Sequence, residues 1–596
     1  MEIKENQIIY NPLFNKFPVG AIEVNSDITI SLNWTNKYNI WDTQLIIEND
    51  KGEIYRVIDF KDSFTFSIPV VGLYWYCFRF KDLYGIHYLV SDDSLNAYIS
   101  DSHEYLWQLS IHNQLDKHPH WIKGGIIYQI MVDRFNKGDN IEPKKNIILH
   151  KNWDEMPHFL PVGEKILNND FFGGDLRGII NKLSYLKSLN ITVIYLNPIF
   201  EAASNHKYDT GNFMKIDRMF GTDEDFIELC DKAREHGIRI ILDGVFNHTG
   251  DDSLYFNKYN HYPTVGAYND KKSEFYDWYL FINHPAEYMS WWGISTLPSV
   301  NQSSSSYLKY IDGVLKKYLQ IGASGYRLDV VDELMNEFVE RINKVVKEED
   351  SENIIIGEVW EDASNKVAYS VRKQYFNGKQ LDSVMNYVFK EAIISYLKQN
   401  NVLGLRNVIR TLINNYPKDI LDSLMNILDT HDTMRIINNF ATSENLTKVE
   451  AANYRLEGSE YKRALKKMKM ATILQFTLPG VPSIYYGDEA GVQGFDDPFC
   501  RQTFPWDNIN IDLYEWYKNL GIIRKEAVFI DGDYEEVIAK ENIFAFKRVK
   551  YNEEILVVIN NSNDQFSMEV KGHDLINNID LRYLSLPAQV GTIIRL

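Results

Sequence analysis

Cysteine is scarce: Cys77, Cys230 and Cys500 are the only thiols in 596 residues. They lie too far apart for a disulfide frame or a thiolate zinc cluster, so buried free thiols in a reducing compartment are expected. Long apolar runs are missing as well. No stretch approaches the ~18 uncharged apolar residues that a membrane helix requires. Basic charge is in deficit: 63 Lys and Arg against 82 Asp and Glu leave a net charge of −19. That balance repels phosphate backbones and anionic headgroups, which argues against nucleic acid and membrane surfaces as partners. The opening segment MEIKENQIIYNPLF carries both charge signs and no apolar h-region. It reads as neither signal peptide nor anchor, and a cytoplasmic location is expected.

Aromatic residues, by contrast, are abundant, with 38 Tyr, 31 Phe and 12 Trp. Rings of this kind fill cores, and they also stack on the apolar faces of sugars. At this length the chain is expected to hold several domains. Residues 1–121 alternate short β-rich runs (DITISLNW, SFTFSIP, GLYWYCFRF, GIHYLVS) with turns, the pattern of an N-terminal β-sandwich, and end in a linker from about 101. From there eight short apolar runs recur, at 125–132, 191–199, 238–245, 324–331, 353–360, 381–388, 423–430 and 481–487. Strands buried on both faces have this composition, and a helix between each pair makes the βα unit of a parallel sheet. Eight units predict an α/β fold, a closed (β/α)8 TIM barrel over 122–526. The polar, aromatic stretch 249–304 is expected as a subdomain inserted into one barrel loop, a helix near 510–526 as the closing element, and 527–596 as a C-terminal β-sandwich.

In such a barrel the working residues gather at the C-terminal ends of the strands. Asp243, Asn247 and His248 end the third run, Arg327 and Asp329 the fourth, Glu358 the fifth, His431 and Asp432 the seventh, and Asp488 and Glu489 the eighth. The second run is followed by His206, Tyr208 and Asp209. One Asp at a strand end is commonly only a helix N-cap. Six loops bringing carboxylates or imidazoles to one mouth are different, because crowded like charges raise one another's pKa and are seldom tolerated without a function. Two carboxylates on opposite faces of a sugar ring are the minimal equipment for breaking a glycosidic bond, and Asp329 and Glu358 are placed to be that pair.

The segments DGVFNH (243–248), GYRLDVVDE (325–333), GEVW (357–360) and LDTHDT (428–433) resemble, in order, the four signature regions of the α-amylase family of retaining glycoside hydrolases. YQIMVDRF, FFGGDLRGI (171–179), NPIFEAASNHKYDT (197–210) and YYGDEAGVQGFDDPFCRQTFPWD (485–507) are similar to further family segments. The N-terminal region with HPHWIKGGIIYQI is similar to the neopullulanase, cyclomaltodextrinase and amylopullulanase branch. The resemblance implies Asp329 as nucleophile, Glu358 as general acid and base with a raised pKa, and Asp432 as the third carboxylate of the site. It implies substrate contacts from His206, Tyr208, Asp209, His248, Arg327, Trp360, His431, Asp497 and Arg501. The substrate would be an α-glucan: a maltooligosaccharide, cyclodextrin, pullulan or starch-derived dextrin, cut at α-1,4 bonds, with mixed α-1,4 and α-1,6 cleavage as the wider expectation. Glucanotransferase or branching activity, and a non-catalytic glycan-binding role, stand as the competing readings. LPSVN (297–301) departs from the branch's usual MPKLN, and Val330, Val331 and Asp332 replace commoner choices. FNKGDN (135–140) with FFGGD (171–175) resembles a calcium loop, which implies Ca2+ at Asn136, Asp139, Gly173 and Asp175. The N-terminal domain, similar to a carbohydrate-binding module, would either bind starch or pack on a second subunit as a homodimer, as similar proteins do.

Overall fold

The computed structural model describes residues 8–34, 40–115, 117–138, 143–161, 167–443 and 445–596. Eight parallel strands form its centre: β1 (Ile127–Ile130), β2 (Val193–Leu196), β3 (Arg239–Gly244), β4 (Gly325–Leu328), β5 (Ile354–Gly357), β6 (Ser383–Val384), β7 (Met425–Asn426) and β8 (Val481–Tyr485). Each falls inside one of the eight predicted runs. They are hydrogen-bonded in the order β6-β5-β4-β3-β2-β1-β8-β7. A parallel bridge from Met385 to Met425 and the Asn386 N–H to Met425 C=O bond, 2.8 Å, join the two ends into a barrel.

Side chains alternate across each strand, and this sorts the apolar residues into two cores. Ile127, Val193, Tyr195, Ile241, Ile354, Ile356, Met385, Met425 and Val481 pack together inside the barrel. Tyr128, Ile194, Ile240, Tyr326 and Ile355 point outward, into the larger core shared with the helices. The helix Asp223–Glu235 is typical of that outer layer. A capping box of Thr222 and Asp225 starts it, and Phe226, Leu229, Cys230 and Ala233 form its buried face. The predicted closing helix is Ile511–Ile523.

Two expectations need correction. No helix links β5 to β6 among the described residues: the connection carries a two-stranded hairpin, Val367–Ala368 with Val371–Arg372. Its sequence, EDASNKVAYSVRKQYFNGKQ over 361–380, is mostly polar and has no 3.6-residue apolar period. The expected linker also contains a strand, Trp107–His112, which pairs with Gly72–Asp82. Trp107, Leu109 and Ile111 fill the N-terminal core, while Gln108 on the other face hydrogen-bonds Ser364 of the barrel. With both faces covered, the strand loses the simple inside–outside contrast.

The N-terminal region is a seven-stranded sheet with a three-stranded sheet beside it. The C-terminal region holds a six-stranded antiparallel sheet and a two-stranded one, packed around Ala545, Leu556, Val558, Leu584, Leu586 and Ile594. Within 249–304 the chain is held by aromatic packing of Tyr255, Phe256, Phe275, Trp278 and Tyr279 more than by regular structure. All three cysteines are free and buried. No helix of the described residues is long and apolar enough to cross a membrane.

Candidate active site

Strand alternation carries polar residues up the barrel interior to one mouth. The inward series run Ile127–Gln129 on β1, Val193–Tyr195–Asn197 on β2, Ile241–Asp243 on β3, Gly325–Arg327–Asp329 on β4 and Ile354–Ile356–Glu358 on β5. Arg327 is fully buried and gathers three carboxylates. Its Nη1 donates to Asp243 Oδ1 (2.9 Å) and Asp329 Oδ1 (2.8 Å), and its Nη2 lies 3.0 Å from Glu358 Oε2. Asp329 and Glu358 are therefore brought together within the span of one guanidinium. The Val330 N–H (2.8 Å) and the indole N–H of Trp360 (3.1 Å) donate to Glu358 and fix it. Val330 itself has φ of 39°, left-handed backbone that a β-branched residue rarely adopts, immediately after Asp329.

Burial pushes the Asp329 carboxyl well above its ordinary value; Arg327 opposes the rise, and Glu358 and Asp243 add to it. The retained proton was expected on Glu358. The carboxyl that the structure raises is that of Asp329.

The other side of the mouth comes from β7 and β8. The Gln129 amide N–H donates to His431 Nδ1 (3.0 Å), which leaves the proton on Nε2, 3.1 Å from Asp432 Oδ2. Arg501 reaches Asp432 Oδ1 (3.2 Å) and Asp497 Oδ1 (2.8 Å). Tyr208 stacks on His431 at 5.1 Å with rings 3° apart and donates to Asp243 Oδ2 (2.8 Å). His206 continues this row of rings. His248 lies against Trp291, which stacks in turn on the exposed Trp292. The LPSVN segment backs His248, with Ser299 bridged to it. Burial lowers the pKa of His206 to about 3 and of His248 to about 4, and lowers that of His431 well below its ordinary value. All three are neutral hydrogen-bonding groups near neutral pH.

Arg327, Asp329, Glu358, Trp360, Tyr208, His206, His431, Asp432, Asp497 and Arg501 thus share one connected network, with His248 joined to it through its 3.2 Å contact with the Tyr208 carbonyl. Asp209 instead accepts from the Ser204 backbone N–H (3.1 Å) and hydroxyl, holding the loop that carries Tyr208. Asp488 and Glu489 do not join the network. Asp488 pairs with Arg435 at 3.0 Å, and Glu489 accepts from Tyr128 (2.6 Å) and Tyr185 (3.0 Å) in the outer layer. Gln129, Tyr195 and Asn197 were not singled out from sequence. Their signal was present as two-residue spacing along apolar runs.

In the resembled calcium loop, Asp175 caps the helix Leu176–Ile180 by accepting the Gly178 N–H (2.6 Å). The Asn136 amide donates to the Gly178 carbonyl (3.0 Å), and the Gly173 N–H donates to Asp133 (3.0 Å). Asp139 lies outside the described residues. Oxygen-only donors suit Ca2+, although the described members supply one carboxylate, already engaged as a cap. No group of three or more His, Cys, Asp or Glu placed to hold a metal occurs among the described residues.

Beside the mouth, burial and the neighbouring Asp209 and Asp251 raise the Asp252 pKa from 3.8 to about 7. A carboxyl that holds its proton more tightly when folded loses stability as pH rises between those two values. Asp252→Asn removes the loss. We expect its melting temperature to match the wild type near pH 4 and exceed it by several degrees at pH 8, as thermal melts across that range will report.

The description "Alpha amylase, catalytic domain" fits residues 129–542. An amylopullulanase of Thermoanaerobacterium saccharolyticum is 36% identical over 621 aligned residues, covering 91% of this chain and 47% of that protein. A cyclomaltodextrinase of Thermoanaerobacter pseudethanolicus is 34% identical, covering 76% of this chain and 74% of its own. The chain spans 47%, 32% and 43% of three amylopullulanases that it resembles. In fold it is similar to the type III pullulan hydrolase from Thermococcus kodakarensis (TM-score 0.70, 23% identity, 99% of this chain and 100% of that one). A cyclomaltodextrinase structure gives 0.71 at 24% identity over 98% and 99% of the two chains. With its catalytic-domain match and these relatives, the chain belongs to the α-amylase family.

Proposed function

We propose that the chain hydrolyses α-glucosidic bonds in maltooligosaccharides, cyclodextrins, pullulan or starch-derived dextrins, with retention at the anomeric carbon. The carrying observation is the pair Asp329 and Glu358 on one buried guanidinium at the barrel mouth. The names of the relatives support the substrate class.

Asp329, whose Oδ1 accepts from Arg327, attacks the anomeric carbon as the carboxylate and forms a glycosyl ester. Glu358 gives its proton to the departing glycosidic oxygen, so the C–O bond breaks without expelling an alkoxide. Water then loses a proton to Glu358 and attacks the ester carbon, which frees Asp329. Asp432, with His431 and Arg501, supplies acceptors and donors for sugar hydroxyls, and Tyr208 offers a ring face. Trp292 and Trp360, 75% and 46% exposed, stand on the β3 and β5 side and favour a sugar held there, so transfer to an acceptor glucan is the second reading.

Product analysis on maltoheptaose and pullulan tests both. Release of one reducing end per bond cut supports hydrolysis. Longer or branched products without proportionate reducing ends support transfer, and no turnover on either removes the enzymatic reading. Calcium at the Asn136–Asp175 turn is a separate proposal: excess EGTA should lower the melting temperature and Ca2+ restore it, and identical melts dismiss it. Homodimerisation through the N-terminal region, supported by exposed Phe14, Phe17 and Ile54, is tested by sedimentation equilibrium. A cytoplasmic location, supported by three buried free cysteines, is tested by fractionation.

A further inference from the structure

The hairpin between β5 and β6 joins two parts of the molecule that neither its sequence nor the barrel pattern connects. Its outer side rests on the N-terminal region at three points. Gln108 bonds Ser364 (2.9 Å) and Asn365 (2.8 Å), and Asn113 donates twice to the Asn377 carbonyl (2.7 and 3.0 Å). The Arg372 guanidinium grips Asp50 as a fork, Nε to Oδ2 at 2.8 Å and Nη2 to Oδ1 at 2.7 Å, across 322 residues of sequence. Its inner side rests on the loop after β4. Lys366 (3.1 Å) and the Tyr375 hydroxyl (2.5 Å) hold Asp332, and the tip residue Tyr369 donates to Glu333 (2.5 Å). Trp292 donates to the same Glu333 oxygen at 3.0 Å.

Two features mark this as more than docking. Tyr369 and Ser370 take consecutive left-handed conformations, φ 52° and 61°, at a turn where Asn and Gly are usual. Strained backbone of this kind persists only where the surroundings over-determine it. Behind the hairpin lies a cavity of about 490 Å3, lined by Asp50, Tyr55, Tyr74, Arg372 and Tyr375 among others, so packing alone does not fix it. Glu358 stands on β5, whose loop this is, while Asp432 and Arg501 stand across the mouth. Tyr369 and Trp292, both largely exposed, therefore edge the side toward which the protonated leaving group departs.

We propose that Asp50 is a positioning residue: through Arg372 it sets the hairpin, and with it the Trp292–Glu333–Tyr369 rim on the leaving-group side of the cleft. The proposal rests on the functional reading above for its consequence, not for its geometry. The Asp50–Arg372 pair is partly exposed, so salt must weaken it.

The test compares wild type with Asp50→Asn and Asp50→Glu. In Asp50→Asn, amide exchange across 364–377 is expected to speed up at least threefold, KM for maltoheptaose to rise three- to tenfold, and kcat on a short chromogenic maltoside to stay unchanged. Asp50→Glu restores most of the KM, and 0.5 M NaCl raises KM in wild type but not in Asp50→Asn. Unchanged exchange in the hairpin overturns the proposal, as does an equal loss on both substrates. Faster exchange in a protein that cleaves no α-glucan upholds the positioning and overturns the functional reading instead.

Discussion

Asp329→Asn is expected to lower kcat on maltoheptaose by roughly 10^4-fold or more, the scale on which enzymes lose their nucleophile, while the protein folds as before. The amide oxygen can still accept from Arg327 Nη1, so the 2.8 Å contact survives in kind. It cannot form the ester. Stability should rise, if it changes. Three carboxylates face one guanidinium here, and burial with like-charge repulsion already lifts the Asp329 pKa. The folded protein therefore binds that proton more tightly than the unfolded chain, and wild-type stability declines as pH climbs above the ordinary carboxylate value. The Asn variant is free of that decline, so its melting temperature relative to wild type should increase from pH 4 to pH 7.5. A variant retaining activity within tenfold of wild type would place the nucleophile elsewhere. A variant that loses activity together with several degrees of melting temperature at neutral pH would mean that Asp329 serves the fold.

The eight strands and the members of the network were legible because each strand is buried on both faces and ends in polar residues. An apolar run interrupted at its C-terminal end is a strong local signal. Gln129 and Tyr195 were legible by the same two-residue spacing once the inward face is identified, since Ile127 and Val193 precede them on it. Asp488 and Glu489 looked equivalent to Asp432 in sequence, yet they turn to Arg435 and to the outer tyrosines, because position at a strand end fixes height on the barrel and not direction. The strand Trp107–His112 was hidden because its polar face is buried against the barrel. The Asp50–Arg372 contact was beyond sequence reading altogether: two charged residues 322 positions apart carry no periodicity that links them. The raised Asp329 carboxyl illustrates the same limit, since it depends on burial and on how Arg327, Glu358 and Asp243 surround it.

Glu358→Ala should separate the two halves of the reaction. On maltoheptaose, whose leaving oxygen needs a proton, the rate should fall about 10^2- to 10^4-fold, the range for lost acid catalysis. On a dinitrophenyl maltoside, whose leaving group departs as the anion, ester formation at Asp329 should proceed within about tenfold of wild type. Hydrolysis of that ester then lacks its base and becomes slow, so the intermediate accumulates and a burst of dinitrophenolate appears. Added azide is a nucleophile that needs no base, and the alanine leaves room where the carboxylate stood between the Val330 N–H and Trp360. It should restore turnover and give an α-glycosyl azide, the product of two successive inversions. Asp329→Ala with azide should instead give the β-anomer, from one direct displacement. Removing Glu358 also leaves Arg327 facing two carboxylates in place of three, so little stability is lost. A β-azide from Glu358→Ala would exchange the roles of the two residues. Equal losses on both donors, with no burst and no rescue, would leave Glu358 as a support for Arg327 and not as the proton donor.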